Sequence, residues 1–90
     1  MKDYKRMQTL IKKYEAARTA SDEAEAAWEQ EPESAELEAA FDQAYSEEFE
    51  ACAVLVKEIV NFTEGQVDAT TARRLITTRL DDIKKLIETV

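Results

Sequence analysis

Residues 22–50 read DEAEAAWEQEPESAELEAAFDQAYSEEFE: twelve carboxylates, no Lys or Arg between Arg18 and Lys57, and the chain's one proline, Pro32, near the middle. The acids are interleaved mostly with Ala, Leu37, Phe41, Tyr45 and Phe49, with two serines and no glycine, so the stretch reads as acidic helix and not as a disordered tail. Pro32 disfavours helical backbone in the residue before it and suits the first turn of a new helix, which divides the stretch into two helices joined by the short Glu31–Ser34 segment. So short a connection makes the two antiparallel.

Working back from the proline, Met7, Leu10, Ile11, Tyr14, Ala17, Ala24 and Trp28 recur at three- and four-residue spacing, which predicts a helix over about 4–30 with Asp3 as its N-cap. Its first half presents large side chains, its second half mostly alanine. Working forward, Leu37, Phe41, Ala44, Tyr45, Cys52, Leu55, Ile59 and Phe62 share one side of a second helix, about 33–64 and starting at Pro32 or Glu33. The small-residue halves meet at the hairpin tip and the large-residue halves at its open end. Gly65, the single glycine, stands where a left-handed residue would end the second helix. Asp68, Thr70 or Thr71 can cap a third helix, about 69–89, whose buried face is Ala72, Leu75, Ile76, Leu80, Ile83, Leu86, Ile87 and Val90.

The expected fold is therefore an all-α, single-domain, three-helix bundle over residues 1–90, built on a long antiparallel helical hairpin with a shorter third helix. Leu55, Ile59 and Phe62 should meet Leu75 and Ile76, with Met7, Leu10 and Ile11 closing the core. The seam spacing also assigns the aromatic side chains of the second helix to the core. Because the third helix is shorter, the tip stands beyond it, and Trp28, Leu37 and Phe41 are costly to expose together. A second copy of the chain is one natural cover.

Composition narrows the chemistry. The absence of histidine removes the commonest general base together with His-ligated metal sites, one cysteine makes neither a disulfide nor a thiolate cluster, and one glycine makes no phosphate loop. Cys52, between Ala51 and Ala53, reads as a small packing residue. Carboxylate pairs at i, i+3 occur at Asp22/Glu25, Glu33/Glu36 and Glu47/Glu50, the kind of pair that binds magnesium in all-helical phosphohydrolases. Twelve acids in 29 positions produce such spacings by chance, and the stretch itself contains no Lys or Arg to hold a phosphate. Thr63–Leu75 has the cadence of a turn and recognition helix, with Arg73 and Arg74 near its start, but the preceding helix is long and acidic, which a DNA-binding helix-turn-helix is not. No catalysis, cofactor or metal is expected.

Charge supplies the functional expectation. Residues 1–18 carry six basic and two acidic side chains, residues 57–90 six of each, and the net charge is −8, which argues against direct contact with nucleic acid or an anionic membrane. Lys12 and Lys13 should come opposite Glu47, Glu48 and Glu50 in the hairpin and offset part of the acidic block. The rest of the block has no such partner. Its plainest role is a solvated, solubilising face. Its sharper role is docking: a small acidic protein–protein interaction module, self-associating or binding a basic protein surface through Trp28, Glu25, Glu29, Glu33, Glu36, Leu37 and Phe41. The alternative is a nucleic-acid mimic that inhibits a DNA- or RNA-binding enzyme of the restriction or CRISPR type, and a remote third is a magnesium-dependent phosphohydrolase. Lys2, Asp3, Lys5 and Arg6 interrupt any apolar leader after Met1, so the expected location is cytoplasmic.

Overall fold

The computed structural model describes residues 4–89, with side chains through residue 85. Four helices make up these residues: α1 (Tyr4–Gln30), α2 (Ala35–Phe62), α3 (Ala69–Thr78) and α4 (Leu80–Thr89). They form an all-α bundle 49 × 22 × 17 Å across, in which α1 and α2 are the long antiparallel hairpin. Tyr4 meets Phe62 at the open end, with ring centroids 5.3 Å apart, and Trp28 stacks on Phe41 near the tip at 6.0 Å. The expected cap Asp3, the side chains of Leu86 and Ile87, and Val90 lie outside the described residues.

Pro32 does not open α2. It follows Glu31 inside a tight turn closed by the Ser34 N–H donating to the Glu31 carbonyl at 3.0 Å, the position where a fixed φ helps a turn most. Ser34 then caps the helix, its Oγ accepting from the Leu37 N–H at 3.3 Å. The second helix thus begins at Ala35, two or three residues later than the proline alone suggests, because a hydroxyl three residues before an unpaired N–H satisfies it and proline cannot. At the other end, Glu64 (φ 55°) and Gly65 (φ 84°) are left-handed, and the Gly65 N–H reaches back to the Val60 carbonyl at 2.9 Å. The buried Thr63 hydroxyl donates to the Ile59 carbonyl and accepts from the Val67 N–H, which fixes the exit toward α3. Asp68 is the α3 cap, accepting from the Thr71 N–H at 2.7 Å.

The core lies in the open half. Met7, Ile11 and Tyr14 of α1, Cys52, Leu55, Val56, Ile59 and Phe62 of α2, Ala72 and Ile76 of α3, and Ile83 of α4 form one buried cluster. Leu10, Leu75 and Leu80 pack against it partly buried, so the meeting of the large-residue halves is as the spacing predicts.

The third helix is not continuous. Arg79 leaves helical geometry (φ −142°, ψ 55°) and ends α3 with its N–H on the Leu75 carbonyl at 2.7 Å. Thr77 and Thr78 both turn their hydroxyls onto carbonyls of the preceding turn, Arg73 and Arg74, which bends a helix. Asp81 and Asp82 then suit the positive N-terminus of a new helix. A straight helix would carry Lys84 about 10 Å past Thr77 toward the tip. Instead the Arg18 guanidinium reaches the Thr77 carbonyl while Lys84 pairs with Glu15, one turn nearer the open end, at 3.2 Å. The chain breaks helical geometry at Arg79, and beyond about the level of Arg18 the layer formed by α3 and α4 leaves Phe49 and Tyr45 of α2 exposed.

Candidate interaction surface at the hairpin tip

Beyond that level the hairpin is two helices only, and the faces that α3 and α4 cover lower down continue uncovered. On α2 the stripe through Val56 and Cys52, both buried, runs on at seven-residue spacing to Phe49 and Tyr45, each 55% exposed, and then to Phe41. The Arg73 guanidinium of α3 stands over the Phe49 ring at 5.6 Å. On α1 the stripe through Met7, Ile11, Tyr14 and Arg18 continues to Asp22, Glu25 and Glu29. Between the stripes lies a trough with an aromatic floor and a carboxylate wall.

The tip aromatics are not core residues in the sense the spacing predicts. Tyr45 and Phe49 are exposed because the third layer ends early, while Trp28, Leu37 and Phe41 are half-buried against one another, with Phe41 edge-on to Tyr45 at 6.1 Å. The Trp28 Nε1–H is buried without an acceptor among the described residues, at a desolvation cost of about 1–3 kcal/mol.

Electrostatics follow the same division. Among the described residues no carboxylate from Asp22 to Glu50 takes part in an ion pair; the pairs are Arg6 with Glu58, Arg79 with Asp82 and Lys84 with Glu15. Lys13 lies beside Glu47 and Glu50 on the far side of the hairpin, around an open dimple with Leu10, Ala51 and Val54, without forming an ion pair. Glu48 faces the trough. Burial and the nearby Asp22 carboxylate raise it above the ordinary carboxylate range, against the pull of Arg18 and with a further push from Glu25.

A carboxyl that is easier to protonate in the fold than in the unfolded chain opposes folding when ionised. Stability therefore rises as pH falls through the raised Glu48 value, and the full gain is reached below the unfolded-state value. Asp68 has the opposite sign: the Thr71 N–H holds it below the ordinary range, so its contribution is present at neutral pH and is lost as pH falls through that lowered value. Glu48→Gln should raise stability at pH 7 by about half a kcal/mol and flatten the rise on mild acidification, as read from urea midpoints between pH 7 and pH 4.5.

The sequence candidates do not all come together. Glu25 and Glu29, four apart, share the trough wall, and Trp28, Phe41 and Leu37 pack at the tip. Glu33 sits in the turn. Glu36 lies nine residues, half a helical turn out of phase, from Tyr45 and so on the opposite side of α2. Tyr45 and Phe49, which their seam positions assign to the core ahead of a role as partner anchors, belong to the surface, as do Asp22, singled out only in a carboxylate pair, and Glu48, expected only to face Lys12 and Lys13. The signal was the Phe41, Tyr45, Phe49 spacing set against the short third helix.

Other chemistry finds less support in the geometry. Cys52 is buried and its thiol is pushed up by burial, which keeps it protonated at neutral pH. Burial likewise raises the Tyr14 hydroxyl, against Arg18. Among the described residues no three acidic or thiol side chains converge as metal ligands, and no helix is long and apolar enough to cross a membrane. The molecule is an all-α helical bundle with an uncovered acidic tip. No protein-family model, curated protein or solved structure matches it.

Proposed function

We propose that this chain is a non-catalytic interaction module that binds a basic protein surface through its hairpin tip. The observation that carries the reading is the end of α3 at Arg79, with Tyr45 and Phe49 exposed beside carboxylates that no ion pair among the described residues offsets. Exposed aromatics supply contact area and the acids supply steering.

Self-association uses the same surface less well. Two tips face to face would bring two sets of twelve carboxylates together, so a homodimer would have to set the tip of one copy on the basic residues 1–18 of the other. Light scattering at low and high salt, on the native chain and on Trp28→Ala, separates these cases: a monomer at every salt concentration supports a separate basic partner, and a dimer lost on Trp28→Ala supports self-association.

Charge density favours one alternative, the nucleic-acid mimic. Twelve carboxylates over roughly 27 Å of tip come to one per ~2 Å, close to the one per ~1.7 Å of duplex DNA. A mimic would use acids on every side, so competition with duplex for a basic nucleic-acid-binding protein would be lost in the Glu29→Gln, Glu33→Gln, Glu36→Gln variant. A partner seated in the trough would be indifferent to Glu33 and Glu36. The aromatic floor, which phosphate imitation does not need, supports the trough reading over the mimic.

A further inference from the structure

Resting on the interaction-module reading, we infer that the tip trough takes an amphipathic helix from a basic partner, laid between α1 and α2 where α3 and α4 would lie if their layer continued. The lower half of the molecule shows which element this trough accepts. There the same two stripes, Met7, Ile11 and Tyr14 on α1 and Cys52 and Val56 on α2, are covered by helices. Above Arg18 the trough runs roughly 18 Å along α1 to the turn, the length of a helix of a little over three turns.

Its chemistry names the occupant. Phe41, Tyr45 and Phe49 repeat at four residues, matching apolar side chains at i, i+3, i+4 and i+7 on a partner helix. By the helical period, Asp22, Glu25 and Glu29 border one side of that floor and Glu38 and Asp42 the other, so the flanks of the partner helix carry Lys or Arg. A second acidic copy of this tip would meet like charge on both borders. Glu48, already crowded by Asp22 and Glu25, is relieved by an incoming cation. Arg18 and Arg73 close the lower end of the trough and set where a basic helix must stop.

The test uses an 18-residue helical Leu/Lys peptide with its leucines on one face, and a second peptide of the same composition scrambled to destroy that face. Binding is followed by the emission of Trp28, the single tryptophan, which stacks on Phe41 beside the trough, and by anisotropy of the labelled peptide. The amphipathic peptide is expected to bind at least tenfold tighter than the scrambled one. Tyr45→Ser with Phe49→Ser should weaken it at least tenfold, while Val54→Ser, equally out of the core on the opposite side of α2, should change it less than twofold. Asp22→Asn, Glu25→Gln and Glu29→Gln together should weaken both peptides and reduce the salt dependence. Circular dichroism on each variant shows that the fold is kept, since every substituted residue is exposed.

Equal binding of the two peptides, indifferent to Tyr45 and Phe49 but lost with the carboxylates, would overturn the helix-in-trough inference and leave the broader basic-partner reading standing. Binding that ignores the carboxylates as well would overturn both. A dimer in light scattering that Tyr45→Ser and Phe49→Ser dissociate would make a second copy the occupant and overturn the basic-partner assignment.

Discussion

Leu55→Ala and Ile76→Ala are each expected to remove about 3 kcal/mol of folding stability, with Ile83→Ala close behind. All three side chains are fully buried in one cluster that joins α2, α3 and α4, and truncating a buried Leu or Ile to Ala costs about 2–5 kcal/mol because the lost burial and the cavity left behind add. For 90 residues the whole stability is about 5–13 kcal/mol, so one such change takes a large share and lowers the melting temperature by roughly 12–24 °C. Urea unfolding followed by circular dichroism measures it, with the exposed Val54→Ala as the control expected within 0.5 kcal/mol, roughly. Ile83 is the sharpest of the three. Were α4 only loosely attached beyond Arg79, Ile83→Ala would cost little, and the packing of α4 into the core would have to be abandoned.

How much of this was legible in the sequence differs between the two halves of the molecule. The open half was readable because large apolar residues at helical spacing on three segments define one core, and Met7, Ile11, Leu55, Ile59, Phe62 and Ile76 all lie in it. Gly65 announced its own left-handed backbone, but Glu64 beside it adopts the same sign without any residue preference to reveal it. The break at Arg79 was hidden by periodicity itself. Ala72, Ile76, Leu80 and Ile83 keep helical spacing straight through the break, so the apolar pattern is the same for one helix as for two. The local signs were the Thr77–Thr78 pair, whose hydroxyls compete for backbone carbonyls, followed by Asp81–Asp82.

That one hidden break also governs the candidate site. With an unbroken third helix reaching toward the tip, Tyr45 and Phe49 would be core residues, as their place on the seam predicts. With the layer broken at Arg79 they are surface. Trp28, Leu37 and Phe41 were legible as tip residues, since their position depends only on the turn at Pro32. The acids were visible as a block but not as sides: the helical period, once the uncovered face is known, assigns Asp22, Glu25 and Glu29 to the trough and Glu36 away from it.

Shortening the hairpin should abolish tip binding while leaving the bundle folded. Deleting Asp22–Trp28 from α1 and Leu37–Gln43 from α2 removes seven residues, two helical turns, from each arm, which changes the phase of either helix by only ~20° and keeps the remaining faces in register. The Glu31–Ser34 turn is retained, and the Ser34 hydroxyl still finds the same backbone N–H position to cap. No residue of the buried apolar cluster lies in either deleted segment, and the excision takes out the Trp28 donor that lacks an acceptor together with five carboxylates. Stability is therefore expected to change by less than about 2 kcal/mol, with one cooperative transition whose urea dependence falls by about a sixth in line with the 14 of 90 residues removed. Labelled amphipathic peptide should bind at least tenfold more weakly, because the floor keeps Tyr45 and Phe49 but loses Phe41, and the wall loses Asp22 and Glu25. In the native chain, hydrogen exchange should find tip amides opening at lower free energy than those around Leu55 and Ile59. A shortened chain that fails to fold, or tip amides protected as strongly as the core, would make the tip a structural element of the bundle. The carboxylates and aromatics on it would then have been placed for the fold and not for a partner.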